Sequence, residues 1–312
     1  MRPALPVIFF TVLSGAGYGL WCLLGLALAA RIYPLAGAGI LVPLAFGFVL
    51  VTAGLIASTA HLGRPGRAWR ALSQWSSSWL SREGVASLVT YLPAIAIGWL
   101  AYAGHQGWSI RVAGAWLALC SLATVVCTAN IYRSLKTIRA WRVPQVLPLY
   151  LGFALLSGGL WLWAWLELAS VRPIGLAFPL ALLGLAVLAA LTKAAYWKTA
   201  DRAPVPTTDH AIGLQHLGHV RPWEGPSSEE TYLTREMVFV LARKHSARLR
   251  KTAVILFAAL PVIGIAVALP YGAAWIAPVL AILCLAGLFV ERWLFFAEAR
   301  HAVAAFFPQR SA

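Results

Sequence analysis

The chain has 312 residues, of which 61% are hydrophobic and only 11% are charged. Soluble globular domains carry about 25% charged residues, so this composition excludes an ordinary soluble enzyme and a disordered protein. The net charge of +15 could suggest nucleic-acid binding, but 25 basic residues cannot coat so apolar a surface. We therefore predict an all-α, polytopic membrane protein with no nucleic-acid partner.

Eight apolar segments are long enough to cross a bilayer, which requires roughly 20 residues each. Tryptophans crowd the ends of these segments, where an amphipathic ring prefers the headgroup layer. The first segment is too long for the apolar part of a signal peptide, and no cleavage site follows it. The predicted spans are 7–30, 37–60, 84–104, 112–132, 147–170, 174–197, 252–270 and 273–298.

The distribution of basic residues predicts the orientation of the chain. Only Arg31, Arg111 and Arg172 lie on one side of the membrane; the other lysines and arginines lie with both termini and the loops after spans two, four and six. Basic loops stay in the cytoplasm. We therefore expect a multi-pass protein of the cytoplasmic (inner) membrane with both termini cytoplasmic.

Three regions follow from these spans. Residues 1–197 hold helices one to six with basic cytoplasmic loops at 61–83 and 133–146, and residues 252–312 hold helices seven and eight with a short tail. Residues 198–251 form a cytoplasmic loop, whose second half has the pattern of a basic interfacial helix that turns into span seven. That helix is either a simple positive-inside anchor or a docking surface for a partner subunit.

Two of the basic loops contain similar phrases. A His-Leu-Gly phrase opens each loop, at His61 and at His216, and an Arg-Glu pair closes each one, at 82–83 and at 235–236. The loops occupy matching positions in two sets of four helices, which predicts two parallel four-helix halves that arose by duplication. The alternative is a chance resemblance between short phrases.

The candidate functional residues gather around the first basic loop. A quinone site needs hydrogen-bond partners for two carbonyls, a group that exchanges protons, and a slot open to lipid. His61 has a suitable pKa for proton exchange, and Glu83 could pass that proton to the cytoplasm. Considered alone, these residues favour a structural alternative, in which His61 caps a helix and Arg82 pairs with Glu83 at the interface.

The other residues of this candidate site have supporting roles. Tyr132 could supply a hydroxyl, Trp79 a flat apolar wall, and Arg82 could orient Glu83 or stabilise negative charge on the reduced ring. The complete set is His61, Arg64, Trp79, Arg82, Glu83 and Tyr132, with His61 and Glu83 as the catalytic pair.

The remaining ionisable residues of the spans are interpreted as structural. Glu291 and Arg292 are adjacent, so they should face different directions and tie the last span to the basic loops. Lys193 looks like an ordinary cytoplasmic flank, and Glu167 should snorkel at the outer end of span five.

Neither the cysteines nor the histidines form a pattern that binds a cofactor within the membrane. The four cysteines lie in apolar runs without a Cys-x-x-Cys pair, which argues against iron–sulfur or zinc ligation by this chain. All seven histidines lie at span ends or in loops, so two axial ligands for a haem would not face each other inside the bundle. We expect neither haem nor a metal site in this chain.

Several motifs resemble a known family. The His-Leu-Gly-Arg-Pro motif at 61–65, the Ser-Trp-Leu-Ser-Arg-Glu motif at 78–83 and the Cys-Thr-Ala-Asn-Ile-Tyr motif at 127–132 resemble the membrane-anchor subunit of dimethyl sulfoxide reductase-type enzymes. The segments at 231–237 and 291–298 are most similar to the branch found with cytoplasmic sulfite dehydrogenase (quinone) complexes.

The resemblance implies a three-subunit oxidoreductase complex. A molybdopterin catalytic subunit would oxidise the substrate, sulfite in this branch of the family, and a four-cluster ferredoxin-like iron–sulfur subunit would carry electrons. This chain would anchor both in the lipid membrane and exchange electrons with quinone (ubiquinone or menaquinone), without a substrate-oxidising centre or haem of its own. The family's quinone-site histidine and glutamate correspond to His61 and Glu83.

Two other functions compete with this interpretation. A secondary transporter would fit eight spans and an internal repeat, but transporters bind substrates at the midplane, where this sequence shows little polarity. A purely structural scaffold would anchor partners without binding quinone.

Overall fold

The computed structural model of the protein describes residues 3–32, 35–60, 62, 64–170, 175–202, 208–214, 216, 218, 220, 223, 241–271 and 275–303. Helices are the regular secondary structure throughout these residues, and eight of them are long and apolar enough to cross a membrane, as the sequence predicts. The eight are α1 (Leu5–Ala30), α2 (Ala38–Thr59), α3 (Trp79–Tyr102), α4 (Trp108–Arg133), α5 (Val146–Leu168), α6 (Ala177–Asp201), α7 (241–271) and α8 (Ile276–Ala297).

The helix ends on one side of the bundle form what we call the basic face: the segments 60–78 and 134–145, the end of α6, the start of α7 and the residues after α8. Two hydrogen bonds join parts of this face. The Ala302 N–H donates to the Thr137 carbonyl at 2.9 Å, and the Trp141 indole Nε1 donates to the Phe295 carbonyl at 3.1 Å. The end of α8 therefore lies against the α4–α5 loop.

The first and fifth helices form the centre of the bundle. α1 packs against α2, α4 and α5, and α5 packs against α6 and α8. Within each set of four, the first helix packs on the second and the fourth, and the third packs on the fourth. This repeated packing pattern is what the predicted duplication requires.

Glycines allow α1 and α5 to cross closely. A Cβ at Gly19 would overlap the carbonyl of Ala154, and a Cβ at Gly158 would overlap the backbone nitrogen of Leu20. Small residues let helix backbones approach in a membrane, where packing replaces the hydrophobic effect as the driving force. The two halves are therefore joined at a backbone-to-backbone contact.

A proline in α2 opens a second contact between the halves. Pro43 has no N–H, so the carbonyl of Gly39, four residues earlier, loses its helical partner. The indole Nε1 of Trp165, on α5, donates to that carbonyl at 3.2 Å. A tryptophan from the second half thus satisfies a carbonyl of the first half inside the apolar bundle.

The seventh span differs from the sequence-based expectation. Its helical backbone runs from Leu241–Val254 through a π-helical segment at Ile255–Ala259 into Leu260–Tyr271. The predicted boundary between residues 251 and 252 lies inside this continuous helix. The basic residues from 241 onward are therefore an extension of the span, and the earlier part of the predicted interfacial helix lies outside the described residues.

The π-helical segment has a local cause. Pro261 cannot donate to the residue four positions before it, and the Leu260 N–H instead bonds to the Ile255 carbonyl, five residues earlier. The bulge brings α7 against α8, where a Cβ at Gly287 would lie 2.6 Å from the backbone nitrogen of Phe257. The wide turn and the glycine together set the α7–α8 contact.

Candidate functional site

Glu83 is the centre of the candidate site that the structure describes. α3 begins at Trp79, five residues before the predicted start of this span, so Glu83 lies one turn inside the helix. Its side chain is buried, with 4% exposure, and one of its carboxyl oxygens accepts a short hydrogen bond from the Thr128 hydroxyl of α4. The structure therefore places Glu83 inside the bundle, and direct contact with the cytoplasm, as the sequence suggested, is absent in the described residues.

Hydroxyl groups continue from Glu83 along the interface between α3 and α4. The hydroxyls of Thr90 and Thr124 lie 3.2 Å apart, and Thr124 is one turn from Thr128. The sequence analysis did not assign a role to these threonines. A four-residue spacing of hydroxyls facing an acidic residue on the neighbouring helix could have revealed them.

Arg82 has a different role from the one predicted. Its guanidinium donates to the backbone carbonyls of Trp75 at 3.0 Å and Ser76 at 2.6 Å, and it lies 4.4 Å from the centre of the Trp79 ring. These contacts hold the turn that leads into α3. Orientation of Glu83 therefore falls to Thr128, and the proposed pairing of Arg82 with Glu83 is wrong.

The remaining residues of the predicted site divide into two groups. Arg64 is exposed and directly precedes the 3-10 helix Pro65–Gln74, on the basic face. His61 lies outside the described residues, so its distance from Glu83 remains a prediction.

Tyr132 is buried in an aromatic cluster. Its ring stacks on Tyr150 with centroids 5.8 Å apart and meets Trp141 edge-on at 5.3 Å. Phe295 and Phe296 of α8 complete the cluster, with edge-on contacts at 5.7 and 5.4 Å. Tyr132 is also close enough to Glu83 for an electrostatic interaction, so this cluster forms a wall beside the carboxyl group.

A second cluster of charges lies in the other half of the bundle, and the sequence analysis missed it. Lys193 of α6 is fully buried, with no exposed side-chain surface, and forms an ion pair with Glu291 of α8. The Arg292 Nε donates to the other oxygen of Glu291 at 2.5 Å. The expectations that Lys193 is a flank, that Glu291 and Arg292 face apart, and that the spans hold little polarity are therefore wrong.

Aromatic rings surround this buried charge cluster. The Lys193 ammonium lies 4.0 Å from the centre of the Tyr196 ring, and the Arg292 guanidinium lies 4.4 Å from that of Tyr150 and 4.6 Å from that of Phe295. Cations gain from the negative face of an aromatic ring, especially where water is excluded. The cluster and the aromatic wall beside Tyr132 thus share Tyr150 and Phe295.

The described geometry contains buried acid, hydroxyl and aromatic groups but no described group of three His, Cys, Asp or Glu side chains that could hold a metal ion. A sequence profile of the DMSO reductase anchor subunit (DmsC) matches residues 1–297. The chain belongs to this family of membrane anchor subunits. A sulfite dehydrogenase subunit from Allochromatium vinosum is 33% identical over 330 residues, which cover 96% of this chain and 97% of that relative. No solved structure is significantly similar to the chain.

In this DmsC-family anchor subunit, charges at the basic face join the ends of three helices. Arg250 of α7 donates to both carboxyl oxygens of Asp201, at 2.6 and 2.8 Å, and to Glu298 at 2.8 Å. Asp201 ends α6 and Glu298 follows α8. The basic extension of α7 therefore forms a clamp between its neighbours.

Two further ionisable groups of this DmsC-family protein lie near helix ends. His301 follows α8, and its Nδ1 accepts from the Val303 N–H at 3.1 Å; burial lowers the pKa of this imidazole, which favours the neutral form that can accept. Glu167, near the opposite end of α5, is buried, and the Trp163 indole donates to it at 3.2 Å. The expectation that Glu167 snorkels to the surface is wrong.

Proposed function

We propose that this anchor subunit exchanges electrons between an iron–sulfur subunit and the membrane quinone pool, at a site next to Glu83. The observation that carries the proposal is the contrast between two buried carboxyl groups. Glu291 is held by two cations, whereas the described partner of Glu83 is the neutral hydroxyl of Thr128. A buried carboxyl group without a counter-ion can hold or release a proton at lower cost than one locked in ion pairs.

Quinone reduction takes up two electrons and two protons, which defines what the protein must supply. Glu83 holds a transferable proton, and His61, at the end of α2, would donate a hydrogen bond to one quinone oxygen. Trp79 and the aromatic cluster of Tyr132 provide flat apolar surfaces beside the carboxyl group. The described residues thus fit a quinone ring, and Arg82 contributes by fixing the turn that carries Trp79.

The basic face is the proposed docking surface for the iron–sulfur subunit. Arg64, Arg67, Arg70 and Arg142 are exposed there. Because no relay cofactor is expected in this chain, the quinone must lie near the face on which the last iron–sulfur cluster docks. Glu83, one turn from that face, satisfies this requirement. The positive-inside rule assigns the face to the cytoplasm.

The substrate of the complex is proposed from the similarity to the Allochromatium vinosum sulfite dehydrogenase protein. A molybdopterin partner would convert sulfite and water to sulfate, two protons and two electrons. A four-cluster ferredoxin-like partner would pass the electrons to quinone at this subunit. The anchor subunit itself would carry no substrate-oxidising centre and no haem.

The test replaces Glu83 by Gln and compares quinone-linked turnover with turnover to an artificial dye in the assembled complex. We expect the quinone-linked rate to fall roughly 10²-fold, because proton transfer by a positioned side chain contributes that much or more. Dye-linked turnover should not change, because it bypasses the anchor subunit. His61→Ala should behave in the same way.

Glu167→Gln is the matched control, since Glu167 is a buried glutamate near the opposite end of the bundle. It should leave both rates unchanged. Full quinone-linked activity in both Glu83→Gln and His61→Ala would contradict the site, and a quinone-site inhibitor without effect on the wild-type complex would favour a transporter or scaffold.

A further inference from the structure

A small cavity of about 30 Å³ lies between the two halves of the bundle. Its walls come from α1, α4, α5 and α8, and they include polar side chains as well as apolar ones. The lining residues that matter here are Gly15, Tyr18, Thr128, Tyr150 and Arg292.

Three polar atoms in this wall lack a well-formed hydrogen bond in the described structure: the hydroxyls of Tyr18 and Tyr150 and the Nη2 of Arg292. All three side chains are buried, with 2%, 6% and 3% exposure. The Arg292 guanidinium lies over the face of the Tyr150 ring, 4.4 Å from its centre, so its main contact with this residue is the ring. Buried polar groups are rarely left unbonded, and such a set of orphans indicates an unseen partner.

The cavity follows from how α1 meets α5. The two helices touch at Gly19 and Gly158, and the cavity opens one turn along α1, at Gly15. A Cβ added at Gly15 would meet no atom within 4 Å. The absence of a side chain at this position therefore leaves the space open.

We propose that this cavity is a water-binding site, in which one or two ordered water molecules bond to Tyr18, Tyr150 and Arg292. A water molecule requires about 10–15 Å³ of such volume and two to four polar partners, and the cavity provides both. Thr128, whose hydroxyl donates to Glu83, also lines the cavity. The water thus lies one side chain away from the carboxyl group, next to the contact between the halves.

The site gives Glu83 a way to exchange its proton without opening to bulk solvent. The hydroxyl of Thr128 can pass its proton to the carboxylate and take another from the water, so that one proton enters and one leaves the hydroxyl and no electrons move. Water binding itself is independent of the proposed quinone function, and the test below does not involve quinone.

The test is X-ray radiolytic footprinting of the assembled complex in water labelled with oxygen-18. Hydroxyl radicals formed at bound water oxidise adjacent tyrosines, and mass spectrometry reads the label. Tyr196 is the matched control, because it is as buried as Tyr18, at 3% exposure, and does not line the cavity. We expect Tyr18 and Tyr150 to incorporate the label several times faster than Tyr196.

Gly15→Ala provides the second arm. Its methyl group should fill the space without a clash and lower the labelling of Tyr18 and Tyr150 to the rate of Tyr196, which should not change. Equal labelling of the three tyrosines in the wild-type complex would overturn the proposal whether or not the variant folds. So would a folded Gly15→Ala complex in which the labelling of Tyr18 and Tyr150 stays at the wild-type level.

Discussion

Glu83 and Glu291 illustrate how partners determine what a buried acid can do. Both lie on the basic half of the bundle and both are buried. Lys193 and Arg292 hold Glu291 in its charged form by direct ion pairs, whereas Thr128 offers Glu83 a hydroxyl that can bond to either protonation state. One carboxyl group is therefore suited to structure and the other to proton transfer.

The ion pairs of Glu291 predict an unequal response to three substitutions. Glu291→Gln would leave Lys193 and Arg292 as two buried cations without a counter-ion, which should destabilise the fold by about 3–5 kcal/mol. Lys193→Met and Arg292→Met each leave one intact ion pair and should cost clearly less. Thermal unfolding of the purified complex, followed through loss of the anchor subunit, measures the difference.

Arg292→Met and Lys193→Met act as controls for each other and for loss of side-chain packing, since methionine keeps most of the volume. Equal destabilisation by all three substitutions would show that packing, and not charge compensation, sustains this cluster.

Sequence reasoning found Glu83 but not the charge cluster, and the reason lies in the residues themselves. Glu83 stands in a recognisable motif, whereas Lys193 precedes Lys198 and resembles the basic flank of any span. Only the packing of α6 on its neighbours shows that Lys193 points inward. Glu291 and Arg292 pair although they are adjacent, because both side chains are long enough to meet beside the backbone.

At the level of elements, the crossing of α1 and α5 is the tightest link between the halves. Gly19 and Gly158 remove side chains from both sides of the contact, so that backbone lies on backbone. The arrangement gives no room for adjustment, because the atoms that an added Cβ would meet belong to main chain and not to flexible side chains.

We therefore predict that Gly19→Ala lowers the thermal stability of the protein. Overpacking at a tight contact costs about 1–3 kcal/mol, in spite of the better helix propensity of alanine. Gly152→Ala is the matched control on α5, since its added Cβ would meet nothing within 4 Å. The melting temperatures of the two variants provide the measurement; a Gly19→Ala protein as stable as Gly152→Ala would show that the helices can separate freely at this point.

The spans were predicted well because hydropathy is a property of whole segments, but their ends were not. α3 begins at Trp79 and not at 84, and α6 continues to Asp201 and not to 197. Polar residues at those ends were assigned to loops because they are polar, although helix geometry buries Glu83 against α4. The continuation of α7 through its basic segment has the same cause.

At the scale of the whole molecule, packing repeats between the halves while chemistry does not. The matching helices meet in the same pairs, yet one half carries Glu83 with Thr128 and the other carries the charge cluster. The duplication thus accounts for the fold, and the differences between the halves provide the candidate site.

The orientation of the molecule is open to a direct test. Gln106 lies in the exposed α3–α4 loop and Gln74 in the exposed 3-10 helix of the basic face. In spheroplasts, a membrane-impermeant maleimide should label Gln106→Cys but not Gln74→Cys, because basic segments stay in the cytoplasm. The four native cysteines lie within the spans, so the unmodified protein gives the background. Labelling at position 74 alone would reverse the orientation and place the docking surface outside the cell.

The bond from Trp165 to Gly39 also constrains how the chain is made. When α2 enters the membrane during synthesis, Pro43 leaves the Gly39 carbonyl without a partner in hydrocarbon, and that state lasts until α5 has been translated. The first half on its own therefore holds an unmet bond, which only the second half supplies. Early in its biogenesis the nascent protein should depend on the insertion machinery to shelter α2, and a chain that stops before α5 should be a ready target for membrane proteases.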